Sequence, residues 1–403
     1  MKKKIFYSLI LFSLIFMISG CKKEKETEPT SYNDTDFNIK LIKTVNSINN
    51  DNYLISPYSI EIALNMLKSG ANNNTLKEIE NVVGTRDINN LEKNNVKIAN
   101  AVFIKDKYKN YIEELFINNI KDKYKGEILY DEFTSPKLIN DWVSKNTDNM
   151  IEKLLDNMDS DFVLGLINAV AIDTEWNSQF ECINTRSDVF TKNDNKEINV
   201  EMMHKTYAGE DYKYFINDSE KGVILPYKND LEFVGIIPSN SVSDYINNLS
   251  NEKLDNIQSS IKSSSNDVRL ILSLPRFSYS FDLKNFKGIL KSIGIKDAFL
   301  SSAADFTKII TKENMNNTDI NNLYVGEAIH KTYIDLNEKG TKAAAVTYFG
   351  MFKNTAIRED YDIVEIEFNK PFIYMIRDKE TKEMLFFGVV YEPNIWKGST
   401  CNK

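Results

Sequence analysis

The stretch Asn337-Glu338-Lys339-Gly340-Thr341-Lys342-Ala343-Ala344-Ala345-Val346-Thr347 decides the fold of this chain. It runs from an apolar segment through a charged turn into three consecutive alanines. In a β-strand, successive side chains point to opposite faces. Thr341, Ala343 and Ala345 then form a uniformly small face, and Lys342 lies on the other face. The pattern therefore predicts a strand that can enter the middle of an existing sheet, with its small side chains toward the packed interior.

This segment resembles the hinge of a serpin reactive-centre loop, and the resemblance extends from about Asn52 to about Pro393. Further segments match motifs of that family and occur in the family's order. They are Ile55-Ser56-Pro57-Tyr58-Ser59-Ile60 with the helix to Leu67, Asn100-Ala101-Val102-Phe103, Ile139-Asn140-Asp141-Trp142-Val143, Asn168-Ala169-Val170 with Trp176, Leu225-Pro226-Tyr227 with Ile236-Ile237-Pro238, Leu274-Pro275-Arg276-Phe277, Ala328-Ile329-His330-Lys331 and Phe368-Asn369-Lys370-Pro371-Phe372.

The order of hydrophobic patterns favours an α+β fold. Helical periodicity dominates from Ser56 to about Asp156, and short apolar runs typical of buried strands follow from Phe162 onward. The resemblance implies the serpin fold, with about nine helices, three β-sheets and an exposed reactive-centre loop. It also implies one domain over residues 37–396, followed by a tail at 397–403.

The resemblance implies a protease inhibitor that acts as a suicide substrate. A target protease cleaves the exposed loop, and the loop then inserts as a central strand of the main sheet and traps the acyl-enzyme. The implied hinge is Glu338, Gly340, Thr341, Ala343, Ala344 and Ala345. Glycine supplies the backbone freedom for a sharp turn, and Thr341 enters the sheet first. A charged side chain at Thr341 would be buried unpaired at a cost of several kcal/mol.

Two further groups of residues match positions that control sheet opening in the family. Arg276 and Glu338 match an ion pair at the top of the main sheet; the alternative is two solvated charges worth under about 1 kcal/mol. Ser56, Asn168 and His330 match a polar cluster under the middle of the sheet, with Trp176 at its top opening. Buried hydroxyl, amide and imidazole groups are expected to satisfy one another.

The usual spacing from hinge to cleavage site in the family places the scissile bond at Asn354-Thr355, with Lys353 and Arg358 as alternative sites. Lysine would indicate a trypsin-like protease and asparagine an asparagine-selective or broad-specificity one. The aromatic and aliphatic residues at 349–352, just before the predicted scissile bond, suit subtilisin-like or papain-like enzymes with apolar subsites. The expected partner is therefore a serine protease, or alternatively a cysteine protease.

The N-terminus predicts export. Three lysines at 2–4 precede an apolar run from Ile5 to Ile18 and the small residues before Cys21, as in a secretory signal. The segment resembles a bacterial lipobox, which implies a signal peptide at 1–20, a lipid on Cys21 that attaches the chain to a membrane, and a flexible tether at 21–36. The expected location is extracytoplasmic, at the cell surface. The alternatives to a lipoprotein are an uncleaved signal anchor and ordinary secretion.

Composition argues against several functions. The net charge of −8, without a basic block in the body, excludes a typical nucleic-acid partner. The two histidines, His204 and His330, lack the spacing of a metal site, so neither a metal nor another cofactor is expected. A hydrolase triad would need one of these histidines, and no Gly-x-Ser-x-Gly motif is present, so the chain is predicted not to be an enzyme.

Two questions stay open at this level. Cys182 and Cys401 are far apart in sequence, which favours two free thiols over a disulfide bridge between them. The chain is expected to be a monomer. The functional alternative to inhibition is a surface lipoprotein with a serpin body that captures a ligand or host factor without trapping proteases.

Overall fold

The structure is a computed structural model, and it describes residues 36–85, 96–159, 162–208, 212–263, 265, 267–311, 313, 323–341 and 361–397. Eight α-helices lie in these ranges. They are α1 (Phe37–Asn46), α2 (Pro57–Gly70), α3 (Asn73–Val83), α4 (Glu114–Asn118), α5 (Lys137–Asn146), α6 (Val242–Asn247), α7 (Asn251–Ser260) and α8 (Phe286–Ile293). Short 3₁₀ turns cover Asp106–Tyr111, Cys182–Asn184 and Asp297–Phe299, and one π turn covers Asn119–Lys123.

The same ranges contain eighteen strands, several of them only two or three residues long. They are β1 (Tyr53–Ile55), β2 (Val96–Lys105), β3 (Glu127–Asp131), β4 (Leu164–Ile172), β5 (Thr174–Glu175), β6 (Thr185–Thr191), β7 (Glu197–Ala208), β8 (Lys213–Ile216), β9 (Glu220–Pro226), β10 (Leu231–Pro238), β11 (Lys262–Ser263), β12 (Val268–Pro275), β13 (Phe277–Asp282), β14 (Val325–Asn337), β15 (Gly340–Thr341), β16 (Asp362–Glu367), β17 (Phe372–Asp378) and β18 (Met384–Val390).

Helix α2 begins at residues that favour a helix start. The Ser56 hydroxyl accepts a hydrogen bond from the Ser59 N–H at 3.3 Å, and Pro57 occupies the first helical position. These are favourable choices because the first backbone N–H groups of a helix have no partner within it. The helix ends at Gly70 and is buried along almost its whole length, so it lies in the centre of the molecule.

The main sheet has the strand order β3-β2-β4-β14-β15-β5, and β13 pairs with the opposite edge of β14. Alternation along β2 divides the core between its two faces. Val102 and Ile104 face the large cluster that contains α2, whereas Ala101 and Phe103 face a smaller cluster with Trp142 of α5. The main sheet is therefore buried on both faces.

The other two sheets complete the fold. A core sheet has the order β1-β18-β17-β10-β9-β8-β11 and is antiparallel throughout. A four-stranded sheet has the order β16-β12-β7-β6, with β16 and β12 parallel. The predicted α+β fold with three sheets is confirmed. Within the described residues, no helix is both long and apolar enough to span a bilayer.

Candidate functional site

The first residues of the predicted loop already form a strand of the main sheet. Strand β15 pairs antiparallel with the end of β14 on one side and with β5 on the other. Thr341 lies opposite Leu336 of β14 and Thr174 of β5. Below this point, β14 and β4 pair directly with each other in parallel. The sheet is therefore opened by one strand width at its top and closed beneath.

Gly340 is required at the turn into this strand. Its φ is +155°, and a Cβ atom there would lie 2.1 Å from the carbonyl oxygen of Thr174. The obstructing atom belongs to the backbone of β5 and cannot move aside as a flexible side chain could. Only glycine lets the chain turn back between β14 and β5 in this way.

Thr341 is fully buried and hydrogen-bonded. Its Oγ1 lies 2.7 Å from the hydroxyl of Tyr227, and the ring of Tyr227 stacks on Trp176 with centroids 4.5 Å apart. Burial raises the pKa of Tyr227, and the hydrogen bond to Thr341 only partly offsets this, so the phenol stays protonated. Sequence reasoning did not assign Tyr227 a role, although it lies within one of the matching motifs.

Trp176 holds the turn between β14 and β15. Its backbone N–H donates to the carbonyl oxygen of Lys339 at 2.8 Å, and its indole N–H donates to that of Asn337 at 2.9 Å. The ring also packs edge-on against Phe180 and Phe233. Trp176 therefore lies at the hinge, at the top of the main sheet.

Charged side chains surround Glu338 at the base of the loop. The Arg276 guanidinium lies 3.6 Å from a Glu338 carboxylate oxygen and 3.5 Å from one of Glu201. Thr185 Oγ1 donates to the other Glu338 oxygen at 2.6 Å. The side chains of Arg276, Glu201 and Glu338 are 25%, 10% and 10% exposed. Sequence reasoning named Arg276 and Glu338 but missed Glu201 and Thr185, which come from other strands.

The polar cluster under the main sheet joins β14 and β4 to the start of α2. His330 and Asn168 are directly opposite in the register of these two strands, and His330 Nδ1 lies 2.8 Å from Asn168 Oδ1. The Ser56 N–H donates to His330 Nε2 at 3.1 Å. The Asn168 amide donates to Asn100 Oδ1 at 2.7 Å and also to the Ser59 hydroxyl.

These contacts fix the protonation of His330. Burial lowers the pKa of this fully buried histidine to about 3, so the ring is neutral at pH 7. Because Nε2 accepts from Ser56, the single ring proton is on Nδ1 and is donated to Asn168. The cluster is therefore an uncharged network, and it bridges the two strands that must separate if another strand is to enter between them.

Several predicted site residues lie outside the described residues. They are Cys21, Ala343, Ala344, Ala345, Lys353, Asn354, Thr355 and Arg358. Their proposed roles in lipidation, insertion and cleavage stay predictions. Among the described side chains, no group of three or more His, Cys, Asp or Glu is arranged to hold a metal ion.

The expectation of two free thiols was wrong for Cys182, which is disulfide-bonded. The other two cysteines of the chain, Cys21 and Cys401, lie outside the described residues. The expectation failed because distance along the sequence does not limit distance in the fold.

Comparisons with known proteins agree with this geometry. A family model described as serpin (serine protease inhibitor) matches residues 32–393. Human neuroserpin is 28% identical over 388 residues, which cover 85% of this chain and 86% of neuroserpin. A serpin-like protein of Thermococcus kodakarensis is 28% identical over 395 residues, covering 92% of this chain and 87% of that protein.

Solved structures have the same fold. Tengpin, a thermophilic serpin, in its native state is 32% identical with a TM-score of 0.74, over 91% of this chain and 97% of tengpin. Thyroxine-binding globulin in complex with thyroxine has the same TM-score at 24% identity, over 89% of this chain and 98% of the globulin. The second match shows the fold alone.

Proposed function

The chain belongs to the serpin family, whose members are in general protease inhibitors and not enzymes, and we propose that it inhibits its target as a suicide substrate. The protease attacks the loop after Asn354, or alternatively after Lys353 or Arg358. The loop then enters the main sheet and carries the acyl-enzyme with it. The single observation that carries this proposal is the position of Gly340 and Thr341, which already lie between β14 and β5.

The main sheet offers a favourable place for the rest of the loop. Strand β15 is antiparallel to both of its neighbours, whereas β14 and β4 are parallel to each other. Extending β15 downward would replace one parallel pairing by two antiparallel pairings, which are slightly more stable per residue. Each added hydrogen bond contributes roughly 1 kcal/mol net. Each inserted residue would therefore gain ladder hydrogen bonds that favour the movement and offset the entropy cost of ordering it.

The polar cluster supports the same proposal. Insertion between β14 and β4 must part His330 from Asn168. Because the network is neutral, separating the two side chains exposes no buried charge. Asn168 keeps its bonds to Asn100 and Ser59, and His330 keeps its bond to Ser56. The sheet can therefore open at the cost of about one hydrogen bond between these side chains.

We also propose that the chain acts outside the cytoplasm as a monomer anchored by a lipid on Cys21. The proposal rests on the N-terminal segment, which has the pattern of a secretory signal that ends at a lipidated cysteine. It is supported by the Cys182 disulfide, because disulfides persist mainly in oxidising compartments. A Cys21→Ser variant expressed in a bacterial host should move from the membrane fraction to the soluble fraction. Recovery of the variant in membranes in unchanged amount would contradict the anchor.

The inhibitory proposal is tested with a panel of trypsin-, subtilisin-, elastase- and papain-like proteases. We expect at least one to form a covalent complex that survives a denaturing gel. The mass of the released C-terminal peptide then distinguishes cleavage after Lys353, Asn354 or Arg358. Cleavage by the panel without any complex, and without a gain in thermal stability of the cleaved protein, would favour the non-inhibitory binding protein instead.

A further inference from the structure

The backbone that follows β5 binds the turn at the base of the loop. After β5 the chain runs along the surface at 177–179, where its residues are exposed or half-buried, and becomes buried again at Phe180. The backbone N–H of Phe180 donates to the carbonyl oxygen of Glu338 at 2.9 Å. The side chains of 177–179 contribute little packing, so the orientation of the backbone before Phe180 depends on its hydrogen bonds.

A lysine from a different sheet supplies hydrogen bonds to this backbone. Lys205 lies in β7 of the four-stranded sheet, and its ammonium donates to the carbonyl oxygens of Ser178 and Gln179 at 2.8 and 2.6 Å. It also donates to the Ser178 hydroxyl at 2.8 Å and lies 4.5 Å from the ring centroid of Tyr207, which cation–π attraction favours. Lys205 therefore attaches residues 178 and 179 to the four-stranded sheet.

The peptide bond between Gln179 and Phe180 connects Lys205 directly to the hinge. A trans peptide unit is planar, and its carbonyl oxygen and N–H point in opposite directions. The oxygen of this unit accepts from Lys205, and the N–H of the same unit donates to Glu338. Burial of the Phe180 ring does not by itself fix this plane, because the dihedral angles on its two sides can rotate in compensation while the ring stays in place.

The charge of the lysine also strengthens the contact with the hinge. A hydrogen bond from a charged donor is stronger than one between neutral groups. Hydrogen bonds in a chain polarise one another, so an amide whose oxygen binds an ammonium becomes a better N–H donor. The Phe180 N–H is the donor of that amide, and Glu338 is its acceptor.

We propose that Lys205 is a positioning residue for the hinge. It holds the Gln179–Phe180 peptide in the orientation that binds the Glu338 carbonyl, and so keeps the turn into β15 in place while the rest of the loop inserts. Without it, the turn detaches more often and insertion slows, so that water hydrolyses more of the acyl-enzyme before the protease is trapped. The inference deepens the proposed function and rests on it.

The test is Lys205→Met, which keeps the length of the side chain and removes its donors. Lys196→Met is the matched control, because Lys196 precedes β7 at an exposed position and pairs with Asp194. Hydrogen exchange of the full chain, without protease, is read at the Phe180 amide by mass spectrometry of fragmented peptides. We expect this amide to exchange at least about tenfold faster in Lys205→Met and within about twofold of the wild type in Lys196→Met. Amides of β17 in the core sheet should be unchanged in both variants.

Exchange at Phe180 within about twofold of the wild type in Lys205→Met would overturn the proposal. Equal acceleration in β17 would also overturn it, because the lysine would then support the whole fold and not this contact.

The second measurement is the yield of covalent complex with a protease that the wild type traps. Lys205→Met should be cleaved at the wild-type rate and give about half as much complex or less, since slower insertion leaves more time for hydrolysis. An undiminished yield would overturn the role of Lys205 in insertion. If the wild type traps no protease, the proposed function fails, whereas exchange at Phe180 still decides whether Lys205 orients the peptide.

Discussion

Replacing Thr341 by arginine tests the insertion mechanism at the residue that the structure places first in the sheet. Thr341 is fully buried between β14 and β5, and its hydroxyl is bonded to Tyr227. Tyr227 is a neutral phenol and provides no negative charge for a guanidinium. Thr341→Arg therefore either buries an unpaired charge or forces β15 out of the sheet. Both results oppose insertion of the rest of the loop.

The size of the effect follows from what holds β15 in place. Its two residues form four register pairs, two with β14 and two with β5. Each ladder hydrogen bond contributes roughly 1 kcal/mol, and the Thr341–Tyr227 bond contributes a similar amount. Together they stabilise the inserted position of the hinge by a few kcal/mol. An unpaired buried charge costs several kcal/mol, so arginine at 341 should expel the hinge. A barrier raised by about 3 kcal/mol slows insertion roughly a hundredfold.

The assay is the partition between covalent complex and cleaved protein, using the protease that forms the most complex with the wild type. Thr341→Arg should be cleaved at an unchanged rate, because the scissile bond lies elsewhere in the loop, but it should leave almost no complex. Ser280→Arg is the matched control. It adds the same charge at an exposed position of β13 in the same sheet and should inhibit like the wild type.

Undiminished complex formation by Thr341→Arg would refute the reasoning. It would mean that the loop traps the protease without the hinge passing through the buried position. Loss of complex by Ser280→Arg as well would show that any added charge on this sheet is harmful. In that case the result for position 341 would say nothing specific about insertion.

Three further predictions follow from the contacts. Tyr227→Phe keeps the stacking on Trp176 but leaves the hinge hydroxyl unpartnered, so it should destabilise the native protein by about 1–3 kcal/mol in urea unfolding; an unchanged midpoint would contradict this. Arg276→Ala leaves Glu338 without its counter-charge and, because the pair is partly exposed, should lower the free energy of urea unfolding by only about 1–3 kcal/mol. A change within experimental error would mean that the pair is solvated. Burial lowers the folded-state pKa of His330 to about 3, below the unfolded value near 6.5, so the free energy of unfolding should fall by up to roughly 5 kcal/mol as the pH drops from about 6.5 to about 3. Urea unfolding at several pH values measures this fall, and an equal pH dependence of stability in His330→Gln would contradict the assignment.

Strands with continuous burial were easier to predict than the irregular edge strand β6. Strands β4, β10, β17 and β18 are buried at every position or nearly so and appear in the sequence as unbroken apolar runs. Strand β6 alternates irregularly between buried and exposed residues because it lies at the edge of the four-stranded sheet. Its sequence lacks a clear two-residue period, so local periodicity does not predict it.

Local sequence predicted the candidate site where one segment carries the signal. The family resemblance added groups from separate segments, namely the cluster of Ser56, Asn168 and His330 and the pair of Arg276 and Glu338. Gly340 and Thr341 lie within one distinctive stretch, so their roles could be inferred from sequence. Glu201 and Thr185 come from β7 and β6, and nothing in their local sequence indicates a contact with Glu338. Such contacts depend on which strands the fold brings together, and local periodicity does not determine that.

The position of β15 bears on how insertion would begin. Adding a strand inside a sheet is costly at first, because residues must be ordered before their hydrogen bonds form. Here the turn at Gly340 and the first pairs with β14 and β5 already exist. On the proposed mechanism, insertion would therefore proceed from the top of the sheet by separating β14 from β4 one pair at a time. Thr332–Val170 is the uppermost pair in the register of these strands, and His330–Asn168 follows two pairs below it. The neutral side-chain hydrogen bond between His330 and Asn168 would thus be one of the first to break during insertion. Its strength should set how readily the loop inserts beyond Thr341 before cleavage.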